Sequence, residues 1–371
     1  MRKTDRLVLP LFDPDDRILR EDFNQAAQTL DEKVGISEEI CAILDLAEGA
    51  TPADAFLKLA LGPGRYAYIL TVVYPDGTPV VNRTVSGVQD VYGNTPVTNE
   101  NGRVVVIADA ETVTVSVESE YLDLKAIRNQ KVEAAGLVTY QTLCLEQNTD
   151  DYLLVTDSKT YELSPYVRSM DVTAVGGGGG SAGTRTAGSG AYGESGGGGG
   201  YAVHAFNYDV SVHKHIKIAI AAGGVGGKSG VTSEGYPLSG SIGGTTYVYY
   251  TEDGMDTQIL TATGGNPGQS SGYGGTGNGN GGTRAPSLVP ASSSTIHIFN
   301  DESLPLAGGG GGASLNAGAG GEPCGADCFN GTKTNGNGAV PGGGGSPNTI
   351  NENSYGGSGG AGGVYFRFHF E

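Results

Sequence analysis

The chain has 371 residues and a formal net charge of −18, from 40 Asp and Glu against 22 Lys and Arg. Most of the acidity precedes residue 170, and only seven Lys or Arg follow Gly176, in no cluster. A nucleic-acid partner, which needs phosphate neutralisation, is therefore not expected; with no apolar run near the roughly 18 residues of a membrane span, membrane insertion is not expected either.

Pro10 and Asp13 interrupt the apolar stretch of MRKTDRLVLPLFDPDD, so no signal peptide is predicted. Leu19, Phe23, Ala26, Leu30 and Val34 recur at helical spacing and predict a helix over Arg20–Val34, closed by Gly35. Its narrow stripe suits either its own core or a three-stranded seam with copies of itself. Ser37 caps a second helix through Leu46, and Thr51-Pro52 starts a third that stops at Gly62-Pro63-Gly64.

The period then changes from helical to alternating. Tyr66–Tyr74, Thr84–Val88, Arg103–Ala108 and Thr112–Ser119 read as strands, with turns at Pro75–Thr78 and Asn99–Gly102. In TVTVSVES, Val113, Val115 and Val117 should face inward and Thr112, Thr114 and Ser116 outward. Short strands of this kind make a small β-sandwich over 65–124. YPDGTPVVNRTVSG, TNENGRVVV and TVTVSVES resemble the prealbumin-like and carboxypeptidase-regulatory-like modules, which implies a spacer. Leu137–Glu146 and Tyr152–Thr156 predict further strands, with Asp157-Ser158-Lys159 as a hairpin turn. Cys41 and Cys144 lie singly in apolar-periodic segments and are expected to be buried thiols.

Composition shifts at DVTAVGGGGG: only nine of the 65 glycines precede Gly176. Glycine runs at 176–180, 196–200, 308–312 and 342–345 alternate with apolar strands, among them Tyr166–Val175, His215–Ala222 and Gly363–Phe370. A flexible Gly/Ser tail is the alternative. The alternating Ile216, Ile218 and Ile220, and the closing VYFRFHF, argue instead for a folded domain. Glycine runs in polyproline II conformation can bond side by side, because no Cβ holds their backbones apart.

Loops between the runs are rich in Tyr, Asn, Ser and Thr, an adaptable contact surface. Their aromatics Tyr192, Tyr236, Tyr273, Phe329 and Tyr355 are the candidate receptor-binding residues, since aromatic faces stack on sugar rings. Covering the glycine backbone is their alternative role. Cys324 and Cys328 sit four apart in one loop, where a local disulfide is plausible in an extracellular protein; a zinc site would need two further ligands, and none lies near.

LVLPLFDPDDRILREDFNQAAQTLDEKV, ISEEICAILDLAEGATPADAFLKLALG and the repeated strand–GGGGG ending in GGAGGVYFRFHFE together resemble the receptor-binding tail fibre or tail-tip proteins of bacteriophages. That resemblance implies a particle-attachment segment at 1–35 and a helical linker at 36–64. It further implies a sandwich spacer at 65–124, a β connector at 125–165 and a glycine-rich receptor-binding head at 166–371. Also implied are a homotrimer, a virion location, baseplate or tail proteins as one partner and a bacterial surface glycan or protein as the other. This chain departs from the tip adhesins in carrying its own attachment region.

Other signals lead elsewhere and fail. AGGVGGKS fits a relaxed phosphate-loop pattern, but GVTSEGYPLSG cannot start the helix such a loop requires. His213 and His215 should share a strand and face the same way, without a third ligand, and TEDGMD lacks the spacing of a calcium loop. Paired carboxylates on a regular β-helix are missing, so no catalytic residue, metal or cofactor is expected. The sequence thus predicts a multidomain, mainly β chain with short N-terminal helices, a prealbumin-like sandwich and a glycine-rich domain of strands and polyproline II segments. A non-adhesive matrix protein or ice-binding polyglycine bundle is the competing class; irregular loop lengths speak against ice binding.

Overall fold

The structure is a computed structural model that describes residues 2–3, 10–11, 61, 64–90, 93–183, 195–228, 238–271, 273–281, 289–313, 320–325, 336–347 and 356–370. The three predicted N-terminal helices, the linker and Cys41 lie outside these residues, apart from two short strands, β1 (Arg2–Lys3) and β2 (Pro10–Leu11), which pair antiparallel. The chain divides into two compact units, Met1–Ser119 with Leu124–Gln147, and Glu120–Asp123 with Asn148–Glu371.

The first unit is built on two three-stranded sheets. In one, β3 (Tyr66–Val73) lies between β5 (Arg103–Ala108), antiparallel, and β9 (Val138–Cys144), parallel. In the other, β6 (Thr112–Val117) lies between β4 (Val85–Ser86) and β8 (Ile127–Glu133), both antiparallel. Alternation decides the buried face: Val113, Val115 and Val117 are buried as expected, and so are Tyr68, Leu70 and Val72. The phenol of Tyr68 keeps its hydrogen bond by donating to the Ala110 carbonyl at 2.7 Å. Gly77, at φ 84°, supplies the left-handed residue of the Tyr74–Thr78 turn. A short ladder of β7 (Leu124–Lys125) with β10 (Glu146–Gln147) completes this unit.

The stretch 125–165 is therefore shared out, β7 to β10 in this sandwich and the later strands in the next unit. Cys144 is exposed, contrary to expectation, because period two turns Leu143 and Leu145 inward and Cys144 out.

The second unit opens with two four-stranded antiparallel sheets. One has the order β11 (Leu153–Val155), β20 (Gly363–Phe370), β13 (Val167–Val175), β14 (Ala202–Asp209). The other runs β12 (Lys159–Glu162), β15 (His215–Ala219), β16 (Thr246–Glu252), β17 (Met255–Ala262). Asp157-Ser158-Lys159 is thus no hairpin turn: β11 and β12 flank it but pair in different sheets. Strand propensity marks both segments and carries nothing about which sheet each joins.

Between the sheets Met170, Val172, Ala174, Ile216, Ile218, Val248, Val364 and Phe366 form one core. On the far face of β13, Val175 and Tyr365 pack with Ile298, Phe299 and Ala307 around the short ladder of β18 (Ile296–His297) and β19 (Leu306–Ala307). Cover on both faces is why β13 reads as an almost unbroken buried run.

The bulge of β13 between Met170 and Val172 carries the buried Asp171, the centre of a partly exposed ionic cluster. Asp171 accepts the Asn207 N–H at 2.8 Å and both Nε and Nη2 of Arg367 at 3.0 and 2.8 Å, with His369 Nε2 at 3.1 Å. Burial pushes this carboxyl up, but the hydrogen bonds and the nearby imidazole outweigh it and hold Asp171 below its ordinary value. Arg367 also lies over the Phe299 ring, 4.7 Å from its centroid.

Candidate functional site

Strands of the second unit run on directly into glycine segments, β13 into 176–183, 195–201 into β14, 238–245 into β16 and 356–362 into β20. Segment 176–183 is the axis of the bundle they make, and its N–H groups take three partners in rotation. Gly176, Gly179 and Ala182 donate to the carbonyls of Tyr201, Gly198 and Ser195; Gly177, Gly180 and Gly183 donate to Gly244, Ser241 and Leu238. Gly178 and Ser181 donate to Gly360 and Gly357. A rotation of three is the period of polyproline II, and falling partner numbers make each neighbour antiparallel.

Carbonyls of the axis accept from three more segments, through Gly265 and Gly268, Gly224 and Gly227, and Gly345. All these bonds measure 2.7 to 3.1 Å. The backbone is thus satisfied by the bundle itself, as burial demands.

Glycine is required here for close approach. None of the glycines in 176–180 or 196–200 has a positive φ, so their backbone keeps a geometry that other residues adopt freely. A methyl group built on Gly179 or Gly180 would instead stand 2.1 Å from the carbonyl oxygen of Asn266 or Val225. Among the glycine runs, positive φ occurs at the starts of two, at Gly308 (80°) and Gly342 (72°).

The end of the bundle remote from the two sheets is the candidate site. Gly183, Ser195, Lys228, Leu238 and Gly356 meet there, as the bonds Ala182–Ser195, Gly183–Leu238, Leu238–Lys228 and Gly356–Gly227 require. Of the five aromatics expected to bind, Tyr273 is placed at this end, half exposed. Its carbonyl accepts the Gln269 N–H at 2.9 Å; Ser195 Oγ donates to the Gln269 carbonyl and the Ser270 N–H donates to Ser239 Oγ, which ties this turn to two bundle segments. Tyr192, Tyr236, Phe329 and Tyr355 lie outside the described residues.

The apolar side chains Val225, Leu238 and Ile242 stand exposed on two adjacent segments. The glycine-run reading passed over them, since isolated apolar residues among glycines carry no period. Cys324 has a free thiol 3.4 Å from the Val340 carbonyl, and burial pushes its pKa up; Cys328 lies outside the described residues.

The remaining chemistry-bearing motifs resolve into structure. Ala222–Lys228 is a bundle segment whose Gly224 and Gly227 N–H groups are spent on Gly178 and Ser181. His213 and His215 do not face the same way: His213 precedes β15 and stacks on Tyr250 at 3.9 Å, whereas His215 stands near Glu162 at 3.9 Å. Glu252–Asp256 is the β16–β17 turn, with Asp253 and Gly254 both at positive φ as a type I′ hairpin needs. Among the described residues no three His, Cys, Asp or Glu side chains gather as metal ligands. No helix among them is long and apolar enough to cross a membrane.

The glycine-rich domain family matches residues 155–369, and the chain belongs to it. No curated protein matches the chain. Among solved structures, the Streptococcal ancillary pilin aligns over 53% of this chain at 10% identity with a TM-score of 0.21, a likeness too slight to define the fold. The chain spans 59% of that pilin's length.

Proposed function

We propose that the protein is a non-enzymatic adhesin, the receptor-binding component of a bacteriophage tail fibre or tail tip. In this reading it attaches to baseplate or tail proteins through its N-terminal segment and assembles as a homotrimer in the virion. A bacterial cell-surface receptor, a glycan foremost, is its target. The observation that carries the proposal is the bundle: glycine segments locked by backbone bonds hold the Tyr273 turn at one end. Such a scaffold fixes loop positions while leaving their sequences free, which suits recognition of variable surfaces. Three heads on each fibre convert weak contacts into avidity.

Binding of the full-length protein to whole bacterial cells, across a panel of strains, tests the reading, with light scattering giving the oligomeric state. Saturable binding restricted to certain strains is expected, together with a mass three times that of the chain. A folded protein that binds no strain would refute the adhesin and favour a structural matrix role.

A further inference from the structure

We infer that the outer face of the β12-β15-β16-β17 sheet is a second binding site, built from side chains, for a neutral pyranose oligosaccharide. Its ligand class rests on the adhesin reading; its location does not. Alternation along β16 sends Thr246 and Val248 into the unit and Tyr247 and Tyr249 out. The two phenol rings are nearly parallel, 19° apart, with centroids separated by 5.8 Å. Both remain partly open to solvent.

Polar groups of three strands frame this pair. Lys217, the cross-strand neighbour of Tyr249, stands 5.9 Å from that ring's centroid and ion-pairs with Asp256, which also accepts the Thr251 hydroxyl at 2.8 Å. Gln258 lies opposite Tyr249 on β17 and Thr160 opposite Lys217 on β12, both exposed. Thr261, opposite Tyr247, has a buried hydroxyl with no hydrogen-bond partner among the described residues.

An aromatic pair within a ring of amide, hydroxyl and ionic groups matches a sugar, which offers apolar C–H faces and many hydroxyls. A protein partner fits less well, since interface centres are depleted in charged residues such as Lys217 and Asp256. Charge selects within the carbohydrates. Lys217 is already neutralised by Asp256, and a chain at −18 repels polyanions, leaving a neutral glycan.

The test probes the full-length protein on an array of neutral hexose and N-acetylhexosamine oligosaccharides, in parallel with whole cells. The double variant Tyr247→Ala/Tyr249→Ala should lose about tenfold in array affinity, while Tyr247→Phe/Tyr249→Phe keeps most of it. Should the alanine pair fail to fold, Tyr249→Gln alone gives the same reading. Unchanged array binding by a folded alanine variant overturns this site and leaves the adhesin reading standing. So does wild-type binding to cells with no oligosaccharide bound. Binding to neither overturns both.

Discussion

Two regions of the glycine-rich unit are held together by opposite means. The paired sheets are specified by side-chain volume: Phe366, Met170, Ile216 and Val248 fill the space between them. The bundle is specified by the absence of side chains, because its segments lie so close that carbonyl oxygens occupy the places of Cβ atoms. Large-to-small changes should therefore damage the first, and the smallest small-to-large change should damage the second. Ordering glycine is entropically expensive, so the bundle depends on strands that clamp its segments at one end.

The sharpest way to break this comparison is at the axis. Gly179→Val puts a branched side chain against the Asn266 carbonyl, with neighbours on every side, and is expected to prevent the second unit from folding. Circular dichroism and proton NMR would check it; a native-like spectrum would contradict the packing described. In the sheets the reverse substitution applies. Phe366→Ala removes a fully buried ring from β20 and should cost about 3–5 kcal/mol in denaturant unfolding.

Between those extremes stands Asp171, where one carboxylate ties three strands at the bulge. Asp171→Asn keeps an acceptor for the Asn207 N–H but loses the charge that faces Arg367, a loss of about 2 kcal/mol near neutral pH. Because its folded-state pKa is depressed, this carboxylate's contribution is present above its unfolded pKa and lost as pH falls through the folded one. Thermal unfolding of wild type and Asp171→Asn should therefore converge in acid, below the ordinary carboxylate range. A gap that stays constant with pH would show that the charge is not what holds the bulge.

Legibility in the sequence follows the same division. Strands whose side chains alternate declared themselves: Val113, Val115 and Val117 face inward as read, and VYFRFHF closes a sheet between β11 and β13. The conformation of the glycine runs could be anticipated from composition, but not their neighbours. A run of identical residues without side chains carries no register, and the partners of 176–183 come from as far away as Gly357 and Gly360. Period two, carried through Leu143 and Leu145, turns Cys144 out, whereas the parting of His213 from His215 follows from β15 starting only at His215, which the sequence does not mark. Of the candidate site, Tyr273 was readable as a loop aromatic, whereas Tyr247 and Tyr249 were within a strand and were passed over. Their signal was present as alternation in TYVYYTE.

The smallest expected effect sharpens the comparison most, since it separates glycine as a residue type from glycine as a packing requirement. Gly136 lies in the turn between β8 and β9, with a negative φ and open space where a Cβ would stand. Gly136→Ala restricts the unfolded chain and meets nothing in the folded one, so stability should rise by about 0.5 kcal/mol. The same methyl group at Gly179 has no room at all. If both substitutions cost the protein equally, glycine would be serving backbone flexibility throughout, and close packing would not be the reason for the runs. Opposite signs for one methyl group, measured by the same unfolding curve, are what the bundle demands.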